Sequence, residues 1–114
     1  MHELSIAVGI VDLAESKAKN AGAGKILNIE LEIGKLSGVE PDALEFAWPV
    51  AVKGTMLEDA KKTIVQIAGR AKCTTCGLVF EVENLYDSCP GCSGIMKDII
   101  QGKELRIKTI TVDD

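Results

Sequence analysis

Residues 73–92 read CTTCGLVFEVENLYDSCPGC, and this stretch decides the fold. It holds all four cysteines as two C-x-x-C turns, Cys73 to Cys76 and Cys89 to Cys92, twelve residues apart. Each turn can aim two sulfurs into one hemisphere, and two such turns close a tetrahedron. Gly77, Pro90 and Gly91 let the backbone curl so that its amides face the thiolates. The segment has few core formers beyond Leu78, Phe80 and Val82. A unit this small folds only when metal binding supplies its folding free energy. Four thiolates leave Zn²⁺ no open position, so the site is structural. Tetrahedral sulfur also accepts iron, as in rubredoxin-like knuckles, and that electron carrier is one alternative reading. Two redox dithiols, or four unligated thiols, are the others.

On either side of the knuckles lies strand patterning. Thr63 to Ala71 reads as one strand, with Thr63, Val65 and Ile67 alternating with Ile64 and Gln66, and Glu104 to Val112 as another. The cysteine segment is therefore an excursion between two strands, hinged at residues 70–72 and 94–102. Residues 71–100 form the inserted domain, and residues 1–70 with 101–114 the main one.

The main domain starts with an amphipathic helix from residue 4 to about 20, its apolar stripe set by Leu4, Val8, Val11, Ala14 and Ala18. Asn20, Gly22 and Gly24 stop it. Leu27, Ile29, Leu31 and Ile33 then alternate with Asn28, Glu30 and Glu32, the period-two pattern of a strand with one buried face. Pro41 suits the first position of a second helix, whose stripe is Leu44, Ala47, Trp48, Ala51 and Val52. Pro49 costs about 3 kcal/mol inside a helix, so a kink or an early end is expected there.

The totals exclude several classes. With 114 residues the chain supports one modest core. Its net charge of -4 repels phosphate backbones and anionic membranes. A zinc-ribbon nucleic-acid module is the second alternative, with only Arg70, Lys72, Lys97 and Tyr86 to support it. No apolar run approaches the roughly 20 residues of a membrane span, and Glu3 stands where a secretory peptide carries basic residues. A cytoplasmic protein follows, with no membrane partner.

The chain begins MHELS. The His2 imidazole, the His2 amide nitrogen and the Met1 amine can chelate one ion together, and the Glu3 amide offers a further nitrogen. Such surroundings favour Ni²⁺ or Cu²⁺ over zinc. The competing reading is a solvated, idle histidine near a chain end.

The opening MHELS, IGKLSGVEP at 33–41, LEFAW at 44–48, Gly54-Thr55 and the CTTCG and CPGC knuckles together resemble the HypA/HybF family, the nickel metallochaperones of NiFe-hydrogenase maturation. The resemblance runs over nearly the whole chain. It implies an α+β fold, two helices packed on a three-stranded sheet, with a zinc-ribbon-like domain inserted before the last strand. It further implies a carrier, not an enzyme, that passes nickel to the hydrogenase large-subunit precursor together with a HypB-like GTPase; a homodimer is left open. By position, Met1 (through its amine), His2 and Glu3 match the nickel-binding terminus. Glu40 stands where some members use an acidic loop residue as an additional nickel ligand. Cys73, Cys76, Cys89 and Cys92 match the zinc ligands. Some members carry histidines beside the second knuckle; here His2 is the sole histidine, so no ligand exchange of that kind is expected.

Overall fold

A computed structural model gives the fold and describes residues 2–113, with His2 through its backbone alone. The elements are α1 (His2–Asn20), β1 (Ile26–Gly34), α2 (Pro41–Val52), β2 (Lys61–Ile67), β3 (Gly69–Cys73), β4 (Val79–Val82), β5 (Lys97–Gln101) and β6 (Leu105–Val112). They form the expected two helices and a three-stranded sheet of order β2-β1-β6, and a second three-stranded sheet of order β4-β3-β5 that the cysteine segment had not suggested. The chain divides into two compact units.

The first unit comprises the described residues up to Leu31, Val39–Val65 and those from Arg106 on. Within it α1 packs against α2. The buried stripe of α1 is Ala7, Ile10, Val11, Ala14 and Ala18. Val8, expected on that stripe, is 42% exposed, because the stripe runs through Ala7 and Ile10 instead. A Schellman motif ends the helix: Gly22, at φ 78°, donates to the Lys19 carbonyl at 3.0 Å and Ala23 to the Ala18 carbonyl at 3.0 Å. In β1 the buried positions of this unit are Ile26, Ile29 and Leu31, while Leu27 turns outward.

Helix α2 buries Leu44, Trp48 and Val52, one face at a spacing of four. Of the kink or early end expected at Pro49, the early end does not occur, since the helix continues to Val52. Both Pro49 and Glu45, whose carbonyl loses its partner to the proline, lie on the exposed face. Water can satisfy that carbonyl, and the buried Trp48 and Val52 hold the last turn in place.

The second unit comprises Glu32–Gly38 and Gln66–Leu105, wider than the 71–100 expected. The single strand expected over 63–71 is two strands in two sheets, broken at Ala68. Of the two stretches expected as hinges, 70–72 falls within β3 and 94–102 contains β5. Strand β3 pairs antiparallel with both β4 and β5. Three glycines explain the wider boundary. A Cβ on Gly69 would sit 2.4 Å from the Val82 carbonyl oxygen, one on Gly34 1.9 Å from the Gly102 oxygen, and one on Gly102 2.7 Å from the Gly69 Cα. Backbones crossing this closely pull residues 32–38 into the unit, where Lys35 donates to the Ile67 carbonyl and Leu36 to the Gly102 carbonyl. The core is small: Ala71, Cys73, Phe80, Val82 and Cys89, with Leu36 and Ile99 packed against it.

Candidate metal centres

The two C-x-x-C knuckles are built alike. Cys73, the last residue of β3, donates its amide to the Leu78 carbonyl at 2.8 Å, and Cys89 donates to the Gly94 carbonyl at 2.8 Å. One turn later, Gly77 donates to the Cys73 carbonyl at 3.0 Å and Ser93 to the Cys89 carbonyl at 2.8 Å. Both of those donors have left-handed backbones, Gly77 at φ 78° and Ser93 at φ 64°. The sequence flags the first through its glycine and hides the second behind a serine.

This symmetry brings the four sulfurs within 4.8 Å of one another. The close pairs run between the knuckles: Cys73 to Cys92 at 3.5 Å and Cys76 to Cys89 at 3.6 Å. Four thiolates at the usual zinc–sulfur length of about 2.3 Å would stand about 3.8 Å apart, so the donor set fits a tetrahedral ion with little rearrangement. Cys73 and Cys89 are buried, Cys76 and Cys92 exposed. Amides support the sulfurs, Cys76 donating to the Cys73 Sγ at 3.5 Å and Gly91 to the Cys89 Sγ at 3.3 Å. Gly91 and Gly94 line the cluster so closely that a Cβ on Gly94 would come within 3.3 Å of the Cys92 sulfur.

The sulfurs share their protons unequally. The amides of Cys76 and Thr75 hold the Cys73 thiol down to about 6. The Gly94 amide draws Cys92 downward too, but the Cys73 sulfur beside it and burial outweigh that pull and push its thiol up to about 12. Negative charge thus collects where a soft cation would sit, and a divalent ion binding here displaces the remaining protons.

Of the four residues expected at the nickel terminus, Met1 and the side chain of His2 lie outside the described residues. The other two come together. Glu3, in the first turn of α1, accepts the backbone N–H of Glu40 on its Oε2 at 3.4 Å. Glu40 is the N-cap residue of α2, extended at φ -83° and ψ 114°, and its own carboxylate makes no capping bond. Beside this contact Glu3, Leu4, Ala43, Phe46, Ala47 and Val50 line an apolar groove of about 400 Å³, and Phe46 is 87% exposed in it. The stripe read from the sequence leaves Phe46 out, in keeping with its exposure, but gives no sign of the groove.

The sequence model of the family described as hydrogenase/urease nickel incorporation, metallochaperone, hypA matches residues 1–112. The chain is 46% identical over 112 residues to the hydrogenase maturation factor HypA of Parabacteroides distasonis, covering 98% of this chain and 97% of that one. It is 42% identical over 113 residues to HypA of Geobacter metallireducens, covering 99% and 100%. The solution structure of the Ni metallochaperone HypA from Helicobacter pylori superposes with a TM-score of 0.70 at 26% identity, over 96% of each chain. With a family match from end to end and a four-sulfur centre where two knuckles converge, the chain belongs to the HypA family of nickel metallochaperones for hydrogenase maturation.

Proposed function

We propose that this chain carries Ni²⁺ at its beginning, in the cytoplasm, and hands it on rather than transforming a substrate. The Met1 amine, the His2 imidazole and the backbone nitrogens of His2 and Glu3 hold the cargo ion, with the Glu40 carboxylate as an additional donor. Nitrogen donors of this kind suit Ni²⁺. A site at a chain end leaves coordination positions open, so a ligand from the acceptor can enter before the last one here departs. The acceptor is the NiFe-hydrogenase large-subunit precursor, met together with a HypB-like GTPase; the exposed Phe46 and Val50, in one groove with Glu3 and Leu4, offer apolar surface for such a meeting.

In this reading Cys73, Cys76, Cys89 and Cys92 hold a permanent Zn²⁺, whose part is to cross-link the two knuckles. The closed sulfur set supports that role, since it has no position free for exchange. Protein purified without added metal should be colourless; a red protein would mean iron and return the electron-carrier reading.

The observation that supports the proposal is the contact of the Glu40 backbone N–H with the Glu3 carboxylate, which keeps an acidic residue beside the third residue of the chain. The experiment is calorimetric titration of Ni²⁺ into three forms of the chain: native start, His2→Ala, and native sequence behind an added amino-terminal tag. Both altered forms should lose at least about tenfold in affinity, because the tag turns the amine into a peptide nitrogen. Undiminished binding by the tagged chain would overturn the proposal.

A further inference from the structure

We infer that the Glu3 carboxylate is a positioning group, a latch that holds the start of α2 so that Glu40 stands at the cargo end. The inference rests on the nickel reading above for its consequence, though not for the latch itself.

Helix α2 begins without the usual local support. Its N-cap residue is Glu40, whose side chain makes no capping bond. A capping box would place Glu or Gln at the third helical position, reaching back to the N-cap amide; here that position is Ala43. The missing carboxylate comes instead from α1. Glu3 Oε2 accepts the Glu40 N–H across 37 residues of sequence, in the place an N3 glutamate would occupy. A negative group there also suits the positive end of the α2 dipole.

The consequence is a division of labour within one residue. The Glu3 backbone nitrogen belongs to the chelating terminus, while its side chain is committed to Glu40. One of its two oxygens, Oε2, is engaged there. What it does is fix the distance between the first turn of α1 and the residue that precedes Pro41. Glu40 itself is exposed, and its own carboxylate is not engaged in capping α2. The latch therefore delivers Glu40 as a donor without using it up.

The test uses the untagged full chain and the variants Glu3→Ala, Glu3→Gln, Glu40→Ala and Glu3→Ala with Glu40→Ala. In metal-free protein, hydrogen exchange at the Glu40 amide should quicken about fivefold in Glu3→Ala, the scale of one hydrogen bond, and stay within about twofold in Glu3→Gln, whose amide oxygen still accepts. Nickel affinity by calorimetry should follow the same order, falling about fivefold in Glu3→Ala and less than about twofold in Glu3→Gln. On the Glu40→Ala background, Glu3→Ala should cost nothing further, because a residue acting through another has no effect once that other is gone. Three results would each overturn the inference: Glu3→Gln as damaging to nickel binding as Glu3→Ala, additive losses in the double variant, or unchanged Glu40 exchange in Glu3→Ala. Failure of the nickel reading shows separately, in the tagged chain, while the metal-free exchange still reports on the latch.

Discussion

The Cβ that Gly34 lacks would fall 1.9 Å from the carbonyl oxygen of Gly102. That oxygen is fixed, since it accepts the Leu36 N–H at 2.7 Å. Gly34→Ala must therefore move the backbone of β1 or of the bend at Gly102, and we expect it to lower the unfolding free energy by more than about 3 kcal/mol in urea titration. The control is Gly9→Ala in α1, where an added Cβ meets nothing within 4 Å. That variant should gain up to about 1 kcal/mol from helix propensity. A Gly34→Ala chain as stable as the native one would disprove the crossing.

Leu44 and Phe46 stand two residues apart on α2 with opposite expectations. Leu44 is fully buried and Phe46 is 87% exposed. Leu44→Ala should cost about 2–5 kcal/mol through lost burial and the cavity left behind. Phe46→Ala should stay within about 0.5 kcal/mol, as surface changes do. Thermal unfolding of the two variants side by side checks both.

Much of this was legible in the sequence, for reasons of periodicity. The stripe of α2 and the buried Ile29, Leu31 and Ile33 repeat at the spacing their elements impose, and paired C-x-x-C turns admit few geometries other than a shared tetrahedron. What escaped was set by backbone meeting backbone. Residues 63–71 look like one strand because β2 and β3 both favour β-branched or alternating residues; only the neighbours of Gly69 in space mark where the chain changes sheets. Ser93 escaped for a different reason. Its left-handed φ of 64° follows from the knuckle, not from its own preference, and the clue was its equivalence to Gly77, one residue past each second cysteine.

Long-range carboxylate-to-amide bonds were equally silent. Glu15 Oε2 accepts the Met56 N–H at 2.9 Å in a partly buried setting, a bond of which the apolar pattern of α1 gives no sign. The bond ties α1 to the loop between α2 and β2. Glu15→Ala should lose about 1–2 kcal/mol, and Glu15→Gln less than about 1, since the amide still accepts without the charge. Equal losses in the two variants, read from chemical denaturation, would mean that charge rather than the hydrogen bond matters there.

Metal removal tests the second unit as a whole. Of the five buried residues in its core, Cys73 and Cys89 belong to the four-sulfur cluster, leaving Ala71, Phe80 and Val82 as the fully apolar remainder. So little burial does not offset the ordering of some forty residues, counted from the span Gln66–Leu105. Chelation at neutral pH should release one zinc per chain by elemental analysis and collapse amide protection in β3, β4 and β5 by at least about tenfold. In α1, amides such as those of Ala14 and Ala18 should change far less, because their burial in the first unit owes nothing to the sulfurs. Cys76→Ser should reproduce the pattern without chelator, at an exposed position where the substitution leaves the apolar core intact. If β3 to β5 stay protected once the metal has gone, the glycine crossings and not the thiolates hold the unit together.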